Sequence, residues 1–236
     1  MKQYGAPAVE GIKVKTRGPF ACLMLALAVL ASACATRVSL LEWENPRFAE
    51  AAPDSFDVEL ATTKGNIVVR VRRNWSPNGS DRFHSLVRAR YFDDVALYRV
   101  IGGFVAQFGI HGDTAVARTW RTQVIPDDSV RTHNRPGTLS FARQGRNSRS
   151  TQLFFNLVDN SQGLDQSDGF GFPPIGRVIR GAEVLSELNW EYSGRVRGQL
   201  PGPHPDSILK QGNAYLRRNF PRLDYINSAR IVWRSR

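Results

Sequence analysis

From Phe56 to Ala61 the apolar residues Phe56, Val58 and Leu60 alternate with the acidic Asp57 and Glu59, and the alternation resumes from Ile67 to Val71. A period of two belongs to strands with one buried face, and Thr63-Lys64-Gly65 between the runs predicts a hairpin turn. The period then changes. Within Pro77 to Arg90, residues Phe83, Leu86, Val87 and Arg90 stand three and four apart behind Ser80 or Asp81 as candidate caps, which predicts a first helix. Further strands are expected at Val95 to Ile101, Phe104 to Phe108, Gly137 to Ala142, Thr151 to Val158 and Ile175 to Ile179. A second helix is expected over Ala182 to Trp190, with Val184, Leu185 and Leu188 on one side.

The end of the chain carries a third helical pattern, Ser207 to Phe220, with Asp206 as N-cap and Ile208, Leu209, Tyr215 and Leu216 on one face. Gly212 weakens it, Pro221 stops it, and Tyr225 to Trp233 alternates like a last strand. Many short strands and only two or three helices argue for a closed β-barrel or sandwich rather than an α/β sheet. A last strand arriving so late is expected to return and pair with an early one.

The first residues follow a different rule. Lys2, Lys13, Lys15 and Arg17 precede the uncharged stretch from Phe20 to Ala33, which ends in small residues before Cys34. Fourteen residues rise roughly 21 Å as a helix, short of a bilayer core of roughly 30 Å, so cleavage after export is favoured over a permanent span. Leu30-Ala31-Ser32-Ala33-Cys34 resembles a bacterial lipobox, in which the cysteine is lipidated and becomes the mature N-terminus. An ordinary secretory signal or an uncleaved short anchor are the alternatives. The expected layout is therefore a signal peptide at 1–33, a tether at 34–55 and one globular domain at 56–236. Location in the bacterial envelope, facing the periplasm and lipid-anchored to a membrane through Cys34, follows from that layout.

Composition changes this picture little. Cys22 and Cys34 are the only cysteines, so the mature body has no disulfide framework and must rely on its core. The formal charge is +11 for the whole chain and +8 after removal of residues 1–33. Scattered arginines read as an ordinary solvated basic surface, a membrane-facing bias being the alternative, and nucleic acid is not expected as a partner of an exported chain. His84, His111, His133 and His204 lack metal-ligand spacing, so no metal is expected. His111-Gly112-Asp113 reads as a loop turn.

Candidate chemistry concentrates in Leu97 to Gly109, LYRVIGGFVAQFG, where Arg99 stands in an apolar β-type run with Phe104 and Gln107 beyond a Gly102-Gly103 bend. A guanidinium among apolar residues is costly to desolvate without a partner or a task. The stretch resembles the cyclophilin signature around its arginine, with Arg99, Phe104 and Gln107 matching in order and spacing. Three further blocks extend the resemblance: Gly137 to Ala142 with Thr151 to Phe155, Leu164-Asp165, and Ile175-Gly176-Arg177-Val178.

The resemblance implies a closed antiparallel barrel of about eight strands capped by two helices, here with an extra helix before the last strand. It implies peptidyl-prolyl cis/trans isomerase activity on proline-containing polypeptides, by a monomer without cofactor. Arg99, Phe104 and Gln107 take the catalytic places; Tyr98, Val105, Ala142, Arg143, Gln152, Phe154, Leu164 and Phe172 take substrate-binding ones. A chaperone or peptide-binding module with little turnover is the alternative. Four departures stand out. Tyr98 replaces a histidine, Gly102 a proline, and Gly163 an aromatic that Phe170 or Phe172 could supply, while about 191–223 has no counterpart in a minimal member.

Overall fold

The computed structural model describes residues 1–2, 38–193 and 201–232, so the expected signal peptide and Cys34 lie outside the described residues. The hairpin forms as expected: β1 (Ser55–Thr62) and β2 (Gly65–Arg72) pair antiparallel, and Val58, Leu60, Ile67, Val69 and Val71 face the core without exposure. The next strands are β3 (Val95–Ala96), β4 (Arg99–Val100), β5 (Val105–Phe108), β6 (Thr138–Phe141), β7 (Leu153–Asn156) and β8 (Pro174–Arg180). The last, β9 (Tyr225–Val232), returns to β1 as the pattern required, while Trp233 lies outside the described residues.

These nine strands make one antiparallel sheet in the order β3-β9-β1-β2-β8-β6-β7-β5-β4. The sheet curls into a half-barrel, and this corrects the expectation of a closed eight-stranded barrel. The reason lies in the run Val95 to Ile101, which looks like one strand and is two. Val95 and Ala96 pair with β9, Leu97 donates its N–H to Asp224 O, and Arg99 and Val100 pair with β5. The chain changes partners at Leu97-Tyr98, so β3 and β4 end up as the two ends of the sheet with no ladder between them.

The helices also differ from expectation in instructive ways. In α1 (Pro77–Arg88), neither Ser80 nor Asp81 caps. Asp128 does so from a distant loop, its carboxylate accepting from the N–H groups of Asn78 and Gly79 at 3.2 and 3.0 Å. A carboxylate at that end also complements the helix dipole. A helix not foreseen, α2 (Thr114–Arg121), starts where Asp113 Oδ1 accepts from Ala115 N and Val116 N, and it buries Val116, Ala117 and Trp120. After the short α3 (Ser161–Leu164), the expected helix over Ala182 to Trp190 shrinks to α4 (Val184–Glu187). Leu188 turns extended there, and Asn189 donates its N–H to Asp224. The last helix, α5 (Pro205–Asn219), begins two positions earlier than Asp206 as cap would have it, with the His204 ring accepting from Asp206 N.

Two apolar clusters hold the unit 38–236 together. The larger packs α1 against the sheet, with Phe83, Phe92, Phe108, Phe141 and Phe155 among its unexposed members. The smaller joins α5 to the sheet end through Ile208, Leu216, Tyr192, Leu223 and Tyr225, and reaches Tyr98, Ile110 and Ala117. Part of the expected tether is laid against this body: Leu40 O accepts from Trp120 Nε1, Phe48 packs edge-on to Trp120, and Ala52 N donates to Asp81.

Candidate active site

Strand register builds the site. Arg99 of β4 stands opposite Gln107 of β5, and Gln107 stands opposite Phe154 of β7, so three residues from three segments share one row of the sheet. Side chains two apart share a face, which adds Val105 beside Gln107 and Gln152 beside Phe154. The sheet thus gathers residues more than fifty positions apart.

Hydrogen bonds then fix the polar groups in a chain. Arg99 Nη1 donates to Gln107 Oε1 at 2.8 Å, Gln107 Nε2 donates to Gln152 Oε1 at 3.1 Å, and the Tyr98 hydroxyl donates to that same oxygen at 2.5 Å. With both carbonyl oxygens engaged, the amide orientations are set, and Gln152 turns its N–H groups away from Tyr98 and Gln107. Burial pushes the Tyr98 hydroxyl well above the usual phenol range, and the neighbouring Arg99 charge offsets this only in part. Tyr98 therefore stays a neutral donor.

Apolar walls stand beside this chain. Phe104 is presented by the turn from Ile101 to Val105, with Gly103 at φ +73°, and its carbonyl accepts from Leu157 N and Asn160 Nδ2. Phe154 meets Phe172 edge-on at 5.7 Å between ring centroids, so Phe172 rather than Phe170 stands in the wall. Gly102 lies under the Trp190 ring, and a Cβ there would come 3.3 Å from it. All eleven residues expected in the site line one groove of about 730 Å³.

Some of them act through what they hold. The Arg143 side chain is almost wholly buried: Nε donates to Gly171 O, Nη2 donates to Ser167 O, and the guanidinium lies 4.7 Å over the Phe172 ring. It braces the loop that carries Phe172. Ala142 is tied by its N–H to Gln152 O.

Residues that sequence reasoning passed over support the same wall. Asn134, fully buried, donates to Asp165 Oδ1 and to Phe172 O, and accepts from Ser140 and Asn156. Burial pushes the Asp165 carboxyl up, yet the bonds from Asn134 and His133 outweigh that and leave it below its ordinary value. The Leu164-Asp165 dipeptide carried the signal, without revealing its partner.

The groove runs beyond the expected residues. Ile110, Ala117, Arg121 and Val124 line it from α2 and its flanks, Gln144, Ser148, Ser150 and Thr151 from the loop before β7, and Pro203, Pro205, Asp206 and Leu209 from the start of α5. Among the described residues no cluster of three or more metal-ligating side chains comes together.

Comparison with known proteins places these features in a family. The sequence model of the family described as cyclophilin type peptidyl-prolyl cis-trans isomerase/CLD matches residues 56–208. Peptidyl-prolyl cis-trans isomerase A of Dickeya dadantii is 28% identical over 162 residues, covering 68% of this chain and 81% of that protein. Peptidyl-prolyl cis-trans isomerase B of Escherichia coli is 25% identical over 157 residues, 65% of this chain and 96% of the relative. Among solved structures, a cyclophilin type peptidyl-prolyl cis-trans isomerase of Cryptosporidium parvum superposes with a TM-score of 0.55 at 17% identity, over 76% of this chain and 99% of that one. A second structure of that protein, in the presence of the dipeptide Ala-Pro, gives 0.54 at 16% identity over 75% and 99%.

Proposed function

Since the chain belongs to the cyclophilin-type peptidyl-prolyl cis-trans isomerase family, we propose that it catalyses rotation about X-Pro bonds in exported proteins, as a lipid-anchored monomer in the bacterial envelope. The observation that carries the catalytic part is the chain Arg99–Gln107–Gln152–Tyr98 set beside the walls Phe104, Phe154 and Phe172.

The reaction breaks no bond. Rotation is slow because the amide nitrogen's lone pair is delocalised into the carbonyl, a barrier of about 18–20 kcal/mol. In the twisted state that delocalisation is lost and the nitrogen becomes a hydrogen-bond acceptor. The apolar walls hold the prolyl ring, while the carbonyl side of the peptide turns against it. The Arg99 guanidinium, oriented by Gln107, donates toward the pyramidal nitrogen, an interaction available only in the twisted state. Stabilisation that the planar ground state does not share lowers the barrier. Gln152 and the Ala142 and Arg143 backbone hold the substrate chain in the groove, with Val105 and Leu164 completing the lining. No cofactor enters the scheme.

The Cryptosporidium parvum relative solved in the presence of Ala-Pro supports a proline-containing ligand. Export and anchoring rest on the basic and apolar leader and on Cys34. The activity is tested by following cis-to-trans relaxation of a proline tetrapeptide: the purified protein is expected to accelerate it in proportion to concentration. Binding without acceleration would instead establish a peptide-holding module. Anchoring is tested by mass spectrometry of the membrane fraction, where a diacylated Cys34 at the mature N-terminus is expected and an unmodified thiol would refute it.

A further inference from the structure

We propose that Trp190 is a positioning residue for the site: its ring lies against Gly102, holds the turn that presents Phe104, and so fixes that wall from behind. The reaction rests on the isomerase reading above; the contact itself rests on residues outside the groove.

The turn has little of its own to hold it. Phe104 N donates to Ile101 O at 3.0 Å, so Ile101 to Phe104 is a β-turn with glycine at both central positions. A positive φ falls on Gly103, at +73°, and not on Gly102, the pattern of a type II turn. Two adjacent glycines leave the backbone more freedom than any other pair and give it no side chain to pack. Among the described residues, a Cβ at Gly103 would meet nothing within 4 Å, whereas at Gly102 the three nearest atoms all belong to the Trp190 ring, 3.3 to 3.8 Å away. Behind the turn lies a recess of about 410 Å³ instead of packed core, lined by Gly102, Gly103, Val100, Leu185 and Leu188 together with Trp190.

The segment that carries the ring is tied down on both sides. Asn189 N donates to Asp224 Oδ2 at 2.7 Å, Glu191 N donates to Asn189 Oδ1 at 2.8 Å, and Arg222 Nε donates to the Glu191 carboxylate at 2.7 Å. Asp224 is buried, and its carbonyl accepts from Leu97 N, where the chain passes from β3 to β4. One residue thus fixes both the support of Trp190 and the approach to the strand that carries Arg99. On the other side of the turn, Phe104 O accepts from Leu157 N and Asn160 Nδ2. Trp190 supplies the hold that the Gly102 side otherwise lacks. It is 52% exposed, so its ring covers the turn instead of filling the core. Displacing the turn moves an apolar wall and leaves the Arg99–Gln107–Gln152 bonds in place, so ring binding suffers more than turnover.

The test uses the full-length protein with Trp190→Ala, Trp190→Phe, Gly102→Pro and the double variant of Trp190→Ala with Gly102→Pro. Proline suits the second position of a type II turn and fixes its φ, so it supplies by covalent means what the ring supplies by contact. Among the described residues no backbone bond uses the Gly102 N–H that proline removes. Trp190→Ala is expected to raise KM for a proline tetrapeptide about fivefold with kcat within about twofold of wild type, Trp190→Phe to recover part of the loss and the double variant most of it. Amide exchange at Phe104 should quicken about tenfold in Trp190→Ala while β1 and β2 keep their protection. A wild-type KM or unchanged Phe104 exchange in Trp190→Ala would overturn the proposal, as would a loss that Gly102→Pro leaves untouched. Should the proline variants fail to fold, Trp190→Phe and the exchange measurement decide. Dissociation constants of the same peptide, measured by fluorescence polarisation, separate the two claims. A wild type that binds without catalysing, with binding weakened and Phe104 exchange quickened in Trp190→Ala, refutes the isomerase reading and upholds the role of Trp190. Wild-type catalysis with binding unchanged in Trp190→Ala refutes that role alone.

Discussion

The two halves of the groove are held by opposite means. In the first, Arg99 of β4, Gln107 of β5, Gln152 just before β7 and Tyr98 are joined by side-chain hydrogen bonds, and the aromatic walls stand on a buried hydrogen-bonded network around Asn134. In the second, α5 with its own apolar cluster brings a wall up to the sheet end, anchored by a glycine contact and an exposed aspartate. A reacting amide needs a donor in one place, and only directional bonds in a rigid sheet hold one there. The α5 wall meets no such demand, and apolar packing suffices to hold it.

Substitutions can break one half at a time. The largest effect expected is at Phe154→Ala in the first half: loss of about 3 kcal/mol in urea denaturation, since a buried Phe leaves a cavity, with a marked rise in KM for proline tetrapeptides. Gly212→Ala attacks the second half alone. At φ +60° and ψ −152° a side chain costs about 1–3 kcal/mol, and the added Cβ meets Gly112 O. Hydrogen exchange should quicken in α5 while β1 and β2 keep their protection; equal loss in both would show that the halves unfold as one.

Tyr98 sits at the junction, its ring in the smaller cluster and its hydroxyl in the polar chain. Tyr98→Phe keeps the packing and removes the donor, so a loss of about 1 kcal/mol, a several-fold drop in kcat/KM, is expected. The smallest effect is that of pH. Arg99 stays charged and the Tyr98 hydroxyl is pushed up, so kcat/KM should be flat between about pH 6 and 9. The Asp165 carboxyl, held below its ordinary value, stabilises the Leu164 and Phe172 wall above the unfolded value, about 3.9. That support is lost as pH falls through the lower folded one, so weakening is expected only in acid below about pH 4.

The first half was largely legible in the sequence because its residues keep strand spacing: Val105 and Gln107, Gln152 and Phe154, each two apart. Arg99 announced itself by standing in an apolar run. What brings the groups together was less legible. The partner change at Leu97 leaves no mark on the hydrophobic pattern, so one expected strand became two and the expected barrel became an open half-barrel. The Asp128 cap comes from a loop fifty residues away. In the second half, α5 was readable from its apolar face, but its docking place depends on Gly112 and Asp94, and α2 is so short that the helical spacing of Val116, Ala117 and Trp120 does not stand out.

The central claim is that Arg99 acts on the twisted amide and not merely on binding. The direct measurement is kcat/KM for a proline tetrapeptide together with its dissociation constant, in wild type, Arg99→Ala and Arg99→Lys. Loss of one donor aimed at the transition state predicts a fall of about 10²–10³ in kcat/KM for Arg99→Ala, with a far smaller change in affinity and partial recovery in Arg99→Lys. A fall in affinity that accounts for the whole loss of rate, or an Arg99→Ala variant as fast as wild type, would contradict it.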